Sequence, residues 1–233
     1  NLAGQPLAEG RWTEARKRQF IESRVNSTQQ LFDFFSVRKL KPKVVISGSA
    51  VGYYGPGEQP VDETAAGSDG FSHDLCRQWE ASAAQFEALS CRVCYVRTGI
   101  VLGDEGALAK MVPAFKLALG GPMGTGNQWM SWIHIEDMVS LLVHCINSEG
   151  LVGAVNATAP NPVTNQQFSK TLGAVLRRPA IFPMPAPVVK LLFGEMGEEL
   201  LLQGQSVLPR KLKDSGFDFK YSNLHSCLSQ ILG

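Results

Sequence analysis

Val44-Val45-Ile46 is three β-branched residues in a row, a run with no polar face. Such a run forms a short strand that has to be covered on both sides, which puts it in the middle of a parallel sheet. Two further apolar runs repeat the pattern, Cys91 to Thr98 and Gly153 to Thr158, with helical segments between them. Strand and helix in alternation require a parallel α/β sheet with right-handed crossovers. Strands near 44–47, 92–98 and 153–157 are therefore expected as parallel neighbours in one sheet. In sheets of this kind the ligand crevice lies outside the carboxyl ends of the strands. That rule singles out Ser47 to Tyr54 and Thr98 to Gly103 before any motif is considered.

The helical segments have legible ends. Thr13 reads as an N-cap with Glu14 in the first turn, opening a long helix that Lys41-Pro42-Lys43 ends. Its expected apolar stripe is Ile21, Val25, Phe32 and Phe35, with Thr28 on the same face. Ser72 and Asp74 open a second helix that carries Leu75, Trp79, Ala83 and Phe86 on one side. A third, Leu108 to Leu119, contains Pro113 and stops at Gly120-Gly121. The glycines of 121–126 follow that helix and lead into the strand-like Trp129 to Ile135. A phosphate cradle needs a strand before it and a helix after it, so this stretch reads as a turn. Glu136 and Asp137 begin a helix to about Asn147, with acids at its positive end. Thr164-Asn165-Gln166-Gln167 is a capping box. Pro183, Pro185 and Pro187 mark an extended connector into a small helical tail, in which Phe217 and Phe219 alternate as a last short strand.

Composition narrows the class of partner. With 233 residues, 44% hydrophobic and 18% charged, the chain can bury the core of an ordinary globular protein. A net charge of +1 supplies no field for nucleic acid or an anionic membrane. The longest apolar runs, such as Leu141-Leu142-Val143, fall far short of a bilayer span. No nucleic acid and no membrane are expected as partners. The first residues do not resemble a signal peptide, and five cysteines, an odd count, favour a reducing compartment, so the expected location is cytoplasmic. Cys91 and Cys94 form a C-x-x-C within a strand, where residues three apart face opposite ways; they read as core packing. No His/Cys/Asp cluster has the spacing of metal ligands, so no metal is expected.

Several motifs in order carry a family resemblance. Asn1-Leu2-Ala3-Gly4 is similar to the Asn-x-Ala-Gly turn after the fourth strand of short-chain dehydrogenases/reductases. Ser47-Gly48-Ser49-Ala50 before Tyr54-Gly55 resembles the active-site serine strand of their extended, sugar-nucleotide-epimerase branch. Arg97-Thr98-Gly99-Ile100-Val101-Leu102-Gly103 resembles that branch's cofactor-side segment after the sixth strand. Trp132-Ile133-His134-Ile135-Glu136-Asp137-Met138 and Val155-Asn156 followed by Pro162-Val163-Thr164 are similar to its next two motifs. With Gly-Gly-Pro-Met-Gly-Thr-Gly at 120–126, the chain most resembles an atypical epimerase-family subgroup of NADP-dependent oxidoreductases that ends in a small domain of unknown function, here Leu201 to Leu232.

The resemblance implies an α/β fold, a Rossmann-type doubly wound parallel sheet with a small C-terminal substrate lobe. Residues 1–103 plus 133–159 would form the cofactor-binding portion, and 104–132 plus 160–233 the substrate lobe. The family's glycine-rich fingerprint does not occur in this sequence, so its first four strands are expected outside it and no pyrophosphate-binding residue is named. The implied cofactor is NADP, with NAD as the alternative, and the implied partners are a small-molecule substrate and a second copy of the chain. Leu2 and Ala3 would present backbone to the cofactor's ribose side and Val101 would line its nicotinamide end. Arg24 occupies the place of an asparagine in the wider family. It is either a surface arginine of a basic helix that also holds Arg16, Lys17 and Arg18, or a guanidinium aimed into the cleft to pair with phosphate, with Gln19 as a second candidate.

Ordinary members place Tyr-x-x-x-Lys on the helix after the serine loop, four residues before a glutamate. Here that helix reads Ser72-His73-Asp74-Leu75-Cys76-Arg77-Gln78-Trp79-Glu80. Glu80 fits the glutamate, which leaves Ser72 in the tyrosine slot and Cys76 in the lysine slot. The catalytic candidates are then Ser49, to hold a substrate oxygen, and Tyr53, to move a proton. His134 alternates with Ile133 and Ile135 and reads as a hydrogen-bonded structural histidine. The implied activity is that of a nicotinamide-dependent oxidoreductase or epimerase acting on a carbonyl, alcohol or nucleotide-linked substrate. The alternative is a cofactor-binding sensor without turnover.

Overall fold

The structure, a computed structural model, describes residues 1–233. Its central sheet has three parallel strands in the order β1 (Val44–Ala50), β2 (Arg92–Thr98), β6 (Gly153–Ala157), as the apolar runs require. Val45 lies opposite Val93, and Val96 opposite Val155. Asn1 adds to the outer edge of β1: its backbone nitrogen donates to the Ile46 carbonyl at 2.6 Å and its own carbonyl accepts from Gly48 N–H at 2.8 Å.

Helices cover both faces. On one side lie α1 (Glu14–Ser36) and α2 (Phe71–Ala84), whose Phe32, Phe35 and Ala83 pack with Phe86, Cys91 and Val93. On the other lies α4 (Ile135–Asn147), whose Met138, Leu141 and Cys145 pack with Cys94, Val96 and Val155. Cys91 and Cys94 therefore fall on opposite faces of the sheet, and all five cysteines are free and buried.

A second core forms around two short parallel strands, β3 (Ile100–Leu102) and β5 (Trp132–His134). Trp132 and Leu102 meet Phe115 of α3 (Gly106–Lys116), Phe168 and Leu172 of α5 (Asn165–Leu176), and Leu228 of α9 (Leu224–Leu232). The capping box at Thr164 and Gln167 opens α5. The antiparallel pair β4 (Trp129–Met130) and β7 (Val163–Thr164) closes its near side. The stretch Trp129 to Ile135 is thus two strands in two sheets, with Ser131 between them donating to the Gln205 carbonyl at 2.8 Å. The remaining helices, α6 (Ala186–Phe193), α7 (Glu195–Gly197) and α8 (Arg210–Asp214), follow the proline connector, and Pro187 lies in the first turn of α6. A π-helical turn, Glu198–Leu202, extends α7. No helix is long and apolar enough to cross a membrane.

Three expectations are corrected. Phe217 and Phe219 do not form a strand; their rings meet edge to face at 4.8 Å, so both turn inward. Helix α1 ends at Ser36, before the Lys41-Pro42-Lys43 boundary. Its most buried line is Phe20, Arg24 and Thr28, with Ile21, Val25, Phe32 and Phe35 half-buried beside it. A cation takes the middle of the buried stripe.

Candidate active site

The carboxyl ends of β1 and β2 carry the site. Backbones approach closely there: a Cβ on Gly48 would stand 2.6 Å from the Trp79 ring, and one on Gly4 would stand 2.8 Å from the Arg24 guanidinium carbon. Packing against the Trp79 ring therefore requires glycine at position 48.

Beneath these ends a buried polar network joins five elements. Arg97, on β2, grips Glu80 of α2 with two bonds, Nε to Oε1 at 2.8 Å and Nη2 to Oε2 at 2.9 Å. Its Nη1 donates to the Tyr54 hydroxyl at 3.0 Å, which donates to Asn156 Oδ1 at 2.7 Å. Ser49 donates to Glu80 Oε1 at 2.7 Å. Burial opposes the charge on Arg97, but the bonds and charge of Glu80 outweigh it and hold the proton more tightly than in an ordinary arginine. Burial likewise raises the pKa of Tyr54, against the pull of Arg97, so its hydroxyl stays neutral. Ser49 is 4% exposed and its proton is committed to Glu80, so only its lone pairs remain for another group.

Tyr53 is placed differently. It lies on the 3-10 turn Val51–Tyr54, and its half-buried ring covers the Arg97 guanidinium at 3.4 Å. His73 Nδ1 donates to the Tyr53 carbonyl at 2.6 Å and fixes the turn. The Tyr53 hydroxyl is not used in the network below it.

Arg24 is buried, with its guanidinium 5.0 Å over the Trp79 ring. Nη1 donates to the Phe20 carbonyl and Nη2 to the Gln5 carbonyl, both at 3.0 Å. Its Nε has no partner, nor has Trp79 Nε1, and no carboxylate lies within ion-pair reach. Burial accordingly lowers its pKa below the arginine value. Leu2 and Ala3 are exposed on the turn beside it. Gln19 is exposed on α1, away from that line. Val101 is half-buried on β3 opposite Ile133. His134, fully buried, caps α4 by accepting from Glu136 N–H, stacks on Tyr221 at 3.8 Å and meets Gln230 at 2.8 Å, the interior role its alternation predicts.

Neither Ser72 nor Cys76 is a phenol or an ammonium. The Cys76 thiol contacts the Ala50 carbonyl at 3.6 Å, and burial pushes its pKa up to about 11, so it is neutral. Ser72 donates to Glu199 Oε2 at 2.7 Å, across 127 residues of sequence. No sequence signal points to Glu199. The grip of Arg97 on Glu80 is not read from the sequence either, although each residue lies in a family motif.

The segment 204–208 passes over the carboxyl end of β6. Thr158 Oγ1 donates to the Val207 carbonyl, Asn156 Nδ2 donates to the Leu208 carbonyl, and Val207 N–H donates to Ser131 Oγ. The same segment pairs with Val61 on its far side. Gln205 Nε2 donates to the Val51 carbonyl, so the segment also borders the Val51–Tyr54 turn.

The model of the NAD dependent epimerase/dehydratase family matches residues 1–157, and that of a Domain of unknown function (DUF1731) matches residues 184–231. Epimerase family protein YfhF of Bacillus subtilis (strain 168) is 41% identical over 234 residues, covering 100% of this chain and 77% of that protein. The crystal structure of human epimerase family protein SDR39U1 (isoform2) with NADPH has a TM-score of 0.92 and 34% identity, over 98% of this chain and 79% of that one. A nucleoside-diphosphate sugar epimerase from Corynebacterium glutamicum has a TM-score of 0.77 and 30% identity, over 97% of this chain and 45% of that one.

Proposed function

The chain belongs to the NAD dependent epimerase/dehydratase family, and from that membership we propose that it is an oxidoreductase or epimerase-like protein that prefers NADP(H) and acts on a carbonyl, alcohol or sugar-nucleotide substrate. The observation that carries this reading is Arg24. A buried guanidinium with an unpartnered Nε and no carboxylate beside it lacks a counter-charge. A phosphate supplies one, and arginine binds phosphate through paired donors. The residues present therefore fit a phosphorylated dinucleotide, and the human relative solved with NADPH supports the same cofactor.

In this reading Arg24 holds a cofactor phosphate, with Gln19 as a weaker contact. Leu2 and Ala3 offer backbone to the ribose side and Val101 lines the nicotinamide end. The nicotinamide, when bound, supplies hydride exchange. The chain's own groups orient and exclude water: Ser49 keeps Glu80 in register, and Arg97 supports the Tyr53 ring that faces the substrate. Residues 1–103 plus 133–159 carry the cofactor and 104–132 plus 160–233 carry the substrate. A second reading, cofactor binding without turnover, is favoured by the neutral Cys76 thiol where the wider family keeps a cationic lysine.

Arg24→Ala in the full-length protein is expected to weaken NADPH binding by about 1.5–3 kcal/mol, the range of a hydrogen bond to a charged group. Calorimetric titration measures it. A smaller loss for NADH assigns the contact to the 2′-phosphate. Equal NADPH affinities before and after substitution would overturn the assignment.

A further inference from the structure

Glu199 differs from the acids held by cations or backbone amides in this part of the fold. Glu80 is gripped by Arg97, Glu195 by Lys17 and Glu198 by Lys190. Glu63 accepts backbone amides of Asn156 and Lys211, and Asp62 pairs with Arg210. Glu199 is half-buried, and no lysine, arginine or histidine forms an ion pair with it. Its bond is to a neutral hydroxyl, that of Ser72 in the first turn of α2, at 2.7 Å. His73, the nearest titratable side chain in sequence to Ser72, is occupied by the Tyr53 carbonyl. Oε1 faces Gly70, where even an added Cβ would stand 3.7 Å away. Gly70, at a positive φ, thus lets the Glu199 carboxylate lie beside the first turn of α2.

A carboxylate in this state already accepts the Ser72 proton along a short bond, with no ion pair competing for its lone pairs. Ser72 alone has no accessible acid dissociation near neutral pH, but a serine hydroxyl relays a proton readily when an acceptor already holds its own. We infer that Ser72 and Glu199 form the proton relay of this site, Ser72 meeting the substrate oxygen and Glu199 storing the proton. In the oxidative direction the substrate O–H proton passes to Ser72 Oγ while the Ser72 proton passes to Glu199 Oε2. The electron pair of the broken O–H bond becomes the C=O bond as the carbon loses hydride to the nicotinamide. The carbon is oxidised and the nicotinamide reduced; Glu199 then returns its proton to water. This rests on the oxidoreductase reading above.

The test uses the full-length protein, NADPH, and an aromatic 1,2-diketone as the carbonyl probe. Glu199→Gln keeps an acceptor for Ser72 but cannot carry the proton, so the tether and the fold survive. Its kcat for the diketone is expected to fall about 100-fold or more, the range of general acid–base catalysis. NADPH affinity stays unchanged, and the wild-type loss of rate with rising pH disappears. Glu198→Gln, one residue away, leaves all three unaltered. Infrared difference spectroscopy of the NADPH-bound protein supplies a readout apart from turnover. One carboxyl band should titrate, vanish in Glu199→Gln and shift in Ser72→Ala. Undiminished turnover in Glu199→Gln, or a wild type that binds NADPH yet reduces no diketone, overturns the relay while leaving cofactor binding intact. Failure to bind NADPH at all overturns the oxidoreductase reading itself.

Discussion

Cys76 illustrates what a single buried residue does to the pH dependence of the fold. Its thiol has an ordinary pKa of 9.0, and burial pushes it up to about 11 in the folded protein. The unfolded chain therefore releases this proton first as pH rises. The stabilising contribution is full below about pH 9 and is lost progressively toward about pH 11, at about 1.4 kcal/mol per pH unit. Urea midpoints measured between these limits are expected to fall, and Cys76→Ala to flatten the fall. Cys227, pushed up to about 12, keeps part of the slope. An alkaline limb identical in wild type and variant would contradict the buried neutral thiol. Side-chain type and neighbours alone made Cys91 and Cys94 legible as core residues. Arg24 was legible only as two alternatives, because a guanidinium that bonds the carbonyls of Phe20 and Gln5 draws on a turn 19 residues away.

Element by element, the apolar strands and capped helices could be read because local patterning and burial agree. The exceptions occur where tertiary contact overrides pattern, as at Phe217 and Phe219, whose alternation suits a strand but whose rings pack on each other. Likewise, the network joining β1, the Val51–Tyr54 turn, α2, β2 and β6 is invisible to periodicity, since its members are single polar residues on separate elements. The fold depends on it nonetheless. Arg97→Met leaves Glu80 buried without its cation, and removal of one partner from a buried pair costs about 3–5 kcal/mol. The variant's urea midpoint should drop accordingly, and Glu80→Leu added to it should recover part of the loss. A drop of less than about 1 kcal/mol, the value of an exposed pair, would contradict the burial of the network.

At the scale of the molecule, the parallel pairing of β1, β2 and β6 in one sheet followed from the alternation of strand and helix. The contacts made from the last third of the chain did not. Glu199 reaches α2 and the 204–208 segment reaches the carboxyl end of β6 through contacts that no local spacing encodes. The central claim is that the crevice holds a phosphorylated nicotinamide dinucleotide against Arg24. The most direct measurement is a crystal structure of the full-length protein with NADPH. A cofactor phosphate on the Arg24 guanidinium, with the nicotinamide end beside Val101, is the predicted result. A dinucleotide whose phosphates all lie out of reach of Arg24, or one bound away from the carboxyl ends of β1 and β2, would contradict the account.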